Sequence, residues 1–153
     1  MRAVVQRVSH ASVTIVETSG LRESGRIGRG LLVLLGVRSD DTDEDAAWLA
    51  DKIAGLRLFE DADGRLNLAL ADVHGSVLAV PNFTLYADCR KGRRPSFADA
   101  ASGMAAENLF KRFSAAVAAH GIPVETGEFG ADMRVALENA GPVTIVVDSP
   151  RSA

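Results

Sequence analysis

The spacing of apolar residues along this chain predicts seven short strands. They lie at residues 2–8, 11–16, 30–37, 77–80, 124–128, 133–138 and 143–148. Two of them, 30–37 and 77–80, are almost uniformly apolar, which is typical of strands buried on both faces. The polar segment 17–26, which contains glycine, is predicted as a hairpin loop.

Two longer segments have helical periodicity. Thr42 and Asp45 have the spacing of a capping box at the start of the first helix. The second helix is predicted from about residue 103 to 120, with Gly121 at its end. Apolar side chains recur on one face of each helix: Leu49, Ile53 and Leu56 in the first, and Leu109, Phe113, Ala116 and Val117 in the second. The pattern predicts a mixed α/β (α+β) fold, in which two main helices pack on a mostly antiparallel β-sheet scaffold.

Composition narrows the class of protein. A chain of 153 residues with 47% hydrophobic content fits one compact domain, taken as residues 1–153. The single cysteine excludes an internal disulfide, and His10, His74 and His120 are too scattered for a metal-ligand motif. No apolar run reaches about 18 residues, so we expect no membrane association and a cytoplasmic location. The net charge of −3 means that any contact with nucleic acid needs a local basic patch.

One candidate site follows the apolar strand 77–80, where residues 81–85 read Pro-Asn-Phe-Thr-Leu. A strand end that carries an amide, an aromatic ring and a hydroxyl is a common place for a functional site. Thr84 has no base beside it in the sequence and is therefore a weak nucleophile. An ester, whose leaving group is far better than that of an amide, needs little more than positioning and hydrogen-bond donors for its developing oxyanion.

The second candidate segment is residues 140–144, Ala-Gly-Pro-Val-Thr, which runs into the apolar residues 145–147. Pro142 cannot donate to a sheet ladder, and Gly141 permits backbone angles that are closed to other residues. The segment therefore predicts either an ordinary turn before a terminal strand or a fixed backbone corner. Taken alone it favours the ordinary turn, because only about 5–6% of X-Pro bonds in folded proteins are cis.

Together these segments resemble the D-aminoacyl-tRNA deacylases, which remove D-amino acids from wrongly charged tRNA. That family has the signatures Ser-Gln-Phe-Thr-Leu and Gly-Pro-Val-Thr, and its Gly-Pro bond is cis. Residues 83–85 match the first signature and residues 141–144 the second. The likeness continues at residues 6–8, 11–13, 30–37, 94–97 and 131–133, and so covers nearly the whole chain. This chain departs from the family pattern at Pro81 and Asn82, which replace Ser-Gln.

The resemblance implies a homodimer with sites near the subunit interface. It implies hydrolysis of D-aminoacyl-tRNA, and of glycine misattached to tRNA, without metal or cofactor and with help from the 2′-hydroxyl of the terminal adenosine. L-amino acids would be rejected by the Gly-cisPro corner. The residues that the resemblance places at the site are Thr84 and Phe83 for catalysis, and Gln6, Arg7, Asn82, Met133, Gly141, Pro142, Val143 and Thr144 for substrate binding.

Several of these residues also have simpler interpretations. Thr84 is taken as a positioning residue first and a nucleophile second. In the family the arginine matching Arg7 hydrogen-bonds the Gly-Pro segment, although on its own Arg7 would be read as a solvated side chain. Phe83 is either a core residue or a wall against the terminal adenine. Met133 is either a pocket residue or an ordinary core methionine.

Close to the first segment lies a basic run that contains Arg90, Lys91, Arg93 and Arg94. It is either a polar loop or a site for tRNA phosphates. Two other functions stay open. A proline at the place of Pro81 resembles the animal-type deacylases, which edit L-alanine from mischarged tRNA, although Phe83 favours the D-specific branch. From another class, the basic run fits a nucleic-acid-binding protein without catalytic activity.

Overall fold

The structure, a computed structural model, describes residues 1–150 as eight strands and two α-helices. The strands are β1 (Arg2–Glu17), β2 (Gly20–Ile27), β3 (Gly30–Gly36), β4 (Phe59–Glu60), β5 (Leu66–Leu68), β6 (Ser76–Pro81), β7 (Val124–Thr126) and β8 (Met133–Asp148). The helices are α1 (Asp43–Gly55) and α2 (Gly103–Ala119), and short 3₁₀ turns lie at Ala71–Val73 and Phe83–Tyr86. No helix in this part of the chain is long and apolar enough to cross a membrane.

Six of the strands form one sheet around the long strand β1. The order is β2-β1-β3-β6-β7, and β8 pairs with β1 along its other edge. All three partners of β1 are antiparallel to it, while β3 with β6 and β6 with β7 are parallel pairs connected through the helices. The sheet curls until β2 meets β7, where Ser24 Oγ donates to Thr126 O at 2.9 Å. The predicted mixed α+β domain, with its mostly antiparallel sheet and two main helices, is confirmed.

The sheet has a hydrophobic cluster on each face. The larger cluster lies between the sheet and the helices, and the smaller one fills the inside of the curl. Strand β1 serves both clusters, because its pairing with β8 shifts on either side of Val8. Ala3 and Val5 therefore face the helices, whereas Ala11 and Val13 face the second cluster. A shift of one residue in a strand turns its side chains to the opposite face.

Both helices begin and pack as the sequence predicts. The capping box at the start of α1 is present, with Thr42 N donating to Asp45 Oδ2 at 2.9 Å. Helix α2 begins at Gly103 and ends one residue before His120. Each helix buries one apolar face against the larger cluster: Ala46, Leu49, Ala50, Ile53 and Ala54 from α1, and Ala106, Phe110, Phe113 and Val117 from α2.

Two pairs of predicted strands and one predicted loop need correction. Residues 2–8 and 11–16 belong to one strand, β1. The exposed Ser9 and His10 interrupt the apolar pattern, and the pairing with β8 shifts at Ser9 but resumes at His10. Residues 133–138 and 143–148 likewise belong to one strand, β8.

The predicted hairpin loop 17–26 is mostly strand β2. Its polar composition resembles that of a loop because this strand is exposed along most of its length.

Candidate active site

The first candidate segment leaves the sheet directly after β6 and forms the 3₁₀ turn Phe83–Tyr86. Asn82 starts this turn as its N-cap. Its Oδ1 accepts hydrogen bonds from the backbone N–H of Thr84, at 3.2 Å, and from the Thr84 hydroxyl. An asparagine oxygen that bonds to a backbone N–H two residues later is a common way to start a turn.

This cap fixes the orientation of the Asn82 amide. A backbone N–H can only donate, so the atom that accepts from Thr84 N must be the oxygen. Asn82 Nδ2 then keeps both of its hydrogens, and it has no partner in residues 1–150. The hydroxyl hydrogen of Thr84 is held by Asn82, and no histidine, lysine or carboxylate in the described part of the chain hydrogen-bonds its oxygen. The arrangement positions Thr84 without activating it as a nucleophile.

Strands β1 and β3 hold the turn in place. Arg2 Nη1 donates to Leu85 O at 3.2 Å, and the Arg2 guanidinium lies 5.3 Å from the centre of the Tyr86 ring. On the other side, Asn82 N donates to Leu35 O at 2.8 Å. Gly36 lets the turn approach β3, because a Cβ there would lie 3.1 Å from Leu85 Cβ. Burial raises the pKa of the Tyr86 hydroxyl, so that this side chain stays neutral at physiological pH.

A cavity of about 670 Å³ opens beside the turn. Asn82, Phe83 and Met133 line it, as does Phe97, whereas Thr84 is exposed and lies one residue beyond the lining. The other lining residues are Leu34, Val80, Pro81, Ala100, Ala101, Ser102, Gly103, Phe129, Gly130, Ala131, Asp132 and Val135. Met133 also packs against the smaller hydrophobic cluster.

The second candidate segment is a bulge in strand β8. Residues 140–143 have no partner in β1, because the pairing passes from Gln6 with Thr144 directly to Val8 with Asn139. The Gly141-Pro142 peptide bond is cis. Gly141 has a φ of 145°, a backbone conformation that residues other than glycine rarely adopt.

Asn139 and Arg7 hold this corner. Val143 N donates to Asn139 Oδ1 at 2.7 Å, and Asn139 Nδ2 donates to Val143 O at 3.2 Å and to Thr144 Oγ1 at 3.0 Å. Arg7 Nε donates to Ala140 O at 2.7 Å, which is a contact of the kind that the resemblance implies. Gln6 Nε2 also donates to Thr144 Oγ1, at 3.3 Å.

Arg7 connects the corner to the hairpin β4–β5. Its Nη1 donates to Leu58 O at 2.8 Å, and its Nη2 lies 3.7 Å from Glu60 Oε1. Only 12% of the Arg7 side chain is exposed, so the simpler interpretation of Arg7 as a solvated side chain is wrong. A guanidinium suits this position because its donors form a rigid fork that satisfies two carbonyls at once.

The two candidate segments do not meet within one chain. The corner bulges from β8 beside Arg7, which is in register with Leu31 and, through it, with Val77, whereas Asn82 follows Pro81 at the far end of β6. Three strand spacings and about five residues along the strand separate them by a distance on the order of 20 Å. The residues that line the cavity include none from the corner.

The basic run forms a loop beside the cavity. Asp88 and Ser96 pair at its base, with N to O distances of 2.7 and 2.9 Å. Arg90 is held by Asp88 through its Nε at 2.8 Å and its Nη2 at 2.7 Å, which lowers the pKa of Asp88 to about 2. Lys91, Arg93 and Arg94 are exposed and form no ion pair with residues 1–150. Within the described chain, these three charges of the run are therefore free for a ligand.

Several residues that hold or line the site were not predicted from the sequence, and four of them show why. Asn139 was within reach, because it directly precedes the recognised segment and asparagine commonly hydrogen-bonds its own neighbouring backbone. Leu58 contributes only a carbonyl oxygen, for which a sequence carries no signal. Arg2 is brought to the site by a tertiary contact alone, whereas Phe97 belongs to the matched stretch 94–97 but was given no role.

A strand-end pocket with a capped hydroxyl can position a bound substrate, and positioning alone greatly speeds a reaction of an already reactive bond. Comparison with known proteins identifies the family. The sequence profile described as D-Tyr-tRNA(Tyr) deacylase matches residues 4–148. The chain belongs to this family.

Curated relatives carry the same family name, and two solved structures share the fold. A D-aminoacyl-tRNA deacylase of Thermotoga petrophila is 54% identical over 151 residues, 99% of each chain. One of Thermus aquaticus is 54% identical over 149 residues, 97% of this chain and 95% of its own. A solved structure titled c-Myc DNA Unwinding Element Binding Protein is 38% identical with a TM-score of 0.89, covering 99% of this chain and 100% of that one. A probable eukaryotic D-amino acid tRNA deacylase shares the fold, with a TM-score of 0.80 at 21% identity and coverage of 96% and 98%.

Proposed function

We propose that this protein hydrolyses the ester bond of D-aminoacyl-tRNA, and of glycine misattached to tRNA, and that it does so in the cytoplasm. The observation that carries the proposal is the capped Asn82–Thr84 turn beside a cavity of about 670 Å³, in a chain that belongs to the deacylase family. Relatives named D-aminoacyl-tRNA deacylase match it over 99% of its length.

In this proposal the turn supplies hydrogen bonds and does not supply a nucleophile. Water attacks the ester carbonyl carbon, and the bond from that carbon to the 3′-oxygen of the terminal ribose breaks. The leaving oxygen takes a proton that comes from the attacking water, with the neighbouring 2′-hydroxyl as its carrier. Asn82 Nδ2, which has no partner in the described chain, donates to the carbonyl oxygen as negative charge develops there. Thr84 keeps the amide of Asn82 turned in this direction.

We further propose that the protein is a homodimer. Val146 is 62% exposed, and it lies in register with the half-buried Val4 and Leu34 on a face that the helices do not cover. Paired residues on neighbouring strands share one face of a sheet, so these three form a continuous apolar row. Leu34 also lines the cavity, which makes the row continuous with the site. A second copy on this face would cover the row and bring its own corner to the cavity.

The corner then explains selection between enantiomers. Its backbone is held from both sides by Asn139 and Arg7, so it is a rigid obstacle. An L-side chain would collide with it, while a D-side chain points away, and glycine has no side chain to exclude. This is selection by a clash with the wrong substrate and not by tighter contact with the right one.

A deacylation assay with matched D-tyrosyl-, L-tyrosyl- and glycyl-tRNA tests the activity. We expect the D-tyrosyl and glycyl esters to be cleaved while L-tyrosyl-tRNA stays charged, and a chelator should not change the rates. Equal rates on the two tyrosyl enantiomers, or loss of activity with chelator, would contradict the proposal. L-alanyl-tRNA belongs in the same assay, because its selective cleavage would favour the animal-type activity that Pro81 leaves open.

The dimer is tested by sedimentation. Val146→Lys should convert the protein to a monomer and lower its activity, since a charge at the centre of an apolar interface is costly. Leu21→Lys is the matched control, because Leu21 is 60% exposed on β2 and lies outside the proposed interface. A parent protein that sediments as a monomer at full activity would refute the dimer while leaving the hydrolysis intact.

Two observations favour a second candidate function, which is nucleic-acid binding without catalysis. The solved structure at 38% identity is titled as a DNA unwinding element binding protein, and the loop offers three cations that are unpaired within residues 1–150. Tight binding of uncharged RNA or DNA, together with intact D-tyrosyl-tRNA after prolonged incubation, would support this candidate over the enzyme.

A further inference from the structure

Two phenylalanines at the mouth of the cavity are unusually exposed. Phe83 is 55% exposed and Phe97 is 37% exposed, whereas Phe59, Phe110 and Phe113 are at most 4% exposed. The two rings form a T-shaped pair with centroids 5.1 Å apart and an interplanar angle of 70°. Such a pair uses the edge of one ring and one face of the other, so the remaining ring faces stay open to a ligand. Exposed aromatic surface beside a pocket commonly marks a binding site.

Unpaired positive charge stands next to this aromatic pair. Phe97 directly follows the base of the loop, where Asp88 pairs with Ser96. Lys91, Arg93 and Arg94 lie at the tip, three to six residues away along the chain, and none of them forms an ion pair with the described residues. Open aromatic faces beside free cations are the usual components of a site for single-stranded nucleic acid, in which bases stack and phosphates are neutralised.

The size of the cavity decides which part of the RNA reaches the aromatic pair. Pockets for small molecules commonly have volumes of about 300–1,000 Å³ and enclose one compact ligand. A cavity of about 670 Å³ is large enough for the aminoacyl group and the terminal adenosine together. The next nucleotide of the RNA must then lie outside the cavity. Phe97 is at the rim, where the RNA strand would leave the cavity.

We propose that Phe97 stacks on the base of the nucleotide immediately 5′ of the terminal adenosine. The ligand of this subsite is therefore a single-stranded RNA 3′ end of at least two nucleotides. Phe83, which forms the T-shaped pair with Phe97, keeps the platform in place, and the loop cations neutralise the phosphates that follow. The proposal rests on the proposed function for the identity of the RNA, and it adds a specific contact outside the cavity.

Short substrates test the stacking contact directly. D-tyrosine is esterified to adenosine, to a dinucleotide ending in adenosine, and to the same dinucleotide with its first base removed. We expect the intact dinucleotide to exceed adenosine by about tenfold in kcat/KM, as one stacked base would give, and the abasic dinucleotide to lose that gain. Phe97→Leu should cleave the intact and abasic dinucleotides equally, and Phe97→Tyr should restore the difference.

Leu66→Ala is the matched control, since Leu66 is 51% exposed on β5, away from the cavity lining. It should retain the tenfold preference for the intact dinucleotide. Equal cleavage of intact and abasic dinucleotides by the parent protein would overturn the proposal while leaving the deacylase function standing. The subsite is also refuted if Phe97→Leu breaks the dimer yet still distinguishes the two dinucleotides, because the rim would then be a contact between subunits.

A second readout does not depend on hydrolysis. Fluorescence anisotropy of a labelled, uncharged RNA trinucleotide ending in adenosine reports binding even if no ester is cleaved. A second probe is the same trinucleotide with its penultimate base removed. The subsite is supported if Phe97→Leu binds the intact probe more weakly than the parent does, and if the parent binds the abasic probe more weakly than the intact one. Binding of both probes that is insensitive to Phe97 overturns it. Absence of D-tyrosyl cleavage with a base-dependent anisotropy signal would refute the deacylase function alone.

Discussion

The turn at residues 82–86 and the corner at residues 140–143 both leave the sheet, yet different kinds of contact hold them. In the turn, Asn82 caps Thr84 only two residues later. In the corner, Arg7 reaches Ala140 from a position 133 residues earlier in the chain, and the same guanidinium also binds Leu58 O. The cap that orders the side chains of the turn is thus local, although Arg2 and Leu35 anchor its backbone. The corner adds to its local bonds from Asn139 a clamp by Arg7 that exists only in the assembled fold.

This difference suggests that rate and discrimination reside in separate places. A substitution in the turn removes a donor from the reacting group and leaves the corner as it was. A substitution in the corner or its clamp moves the obstacle that excludes L-side chains and leaves the donor as it was. The following substitutions test that separation, from the largest expected effect to the smallest.

Asn82→Asp should have the largest effect. The carboxylate keeps an oxygen to cap Thr84 but replaces the Nδ2 donor with a second, negatively charged oxygen. We expect kcat on D-tyrosyl-tRNA to fall by about 10²–10³-fold, as on removal of one oxyanion donor, with the preference for D over L unchanged. Asn67→Asp is the control, since Asn67 is an exposed residue of β5. A lost preference in Asn82→Asp would show that the two regions are not separable.

Gly141→Ala should act on discrimination instead. An alanine Cβ would lie 2.9 Å from Val143 Cγ2 and 3.0 Å from Arg7 Nη2, at a φ of 145°. Displacing the corner by about 1 Å should reduce the ratio of D to L cleavage by about 10²-fold. Gly20→Ala separates strain from position, because Gly20 has a similar φ of 132° but nothing within 4 Å. If Gly20→Ala reduced the ratio equally, general destabilisation would be the cause.

The same contrast explains how much the sequence could predict. The strand end and the polar side chains of residues 82–84 are local features, and the sequence predicted that these side chains follow the strand, although it did not predict the 3₁₀ turn. Arg7 was connected with the corner only through the family resemblance, because nothing in its neighbourhood indicates a partner 133 residues away. The Leu58 carbonyl had no signal at all, since any residue type supplies one.

Two further differences between the sequence prediction and the structure have physical causes. The strand β1 was predicted as two pieces because Ser9 and His10 are polar, although its pairing with β8 shifts at Ser9 and resumes at His10. The four cations of the basic run looked equivalent in the sequence. The structure separates Arg90, which is bound to Asp88, from Lys91, Arg93 and Arg94, which are free of ion pairs within residues 1–150.

Arg7→Lys should have a moderate effect on the corner. A lysine keeps the charge but lacks the rigid fork, so it cannot donate to Ala140 O and Leu58 O in the same geometry. We expect the D to L ratio to fall about tenfold, which corresponds to the loss of one hydrogen bond from a charged donor. Arg26→Lys, at an exposed residue paired with Glu23, should leave the ratio unchanged. A parent-like ratio in Arg7→Lys would mean that Asn139 alone holds the corner.

The smallest effect is expected from Arg93→Ala combined with Arg94→Ala. Both side chains are exposed and unpaired within the described chain, so their charges contribute to RNA binding chiefly by releasing counterions from phosphates. Two lost contacts with a single strand should flatten the slope of log affinity against log salt by about 1.4. Arg90→Ala should change the slope less, because Asp88 already neutralises Arg90 in the free protein. Discrimination between D- and L-tyrosyl-tRNA should survive in all of these variants, since neither the turn nor the corner is touched. A slope that responds to Arg90 but not to Arg93 and Arg94 would reverse this assignment of the free charges.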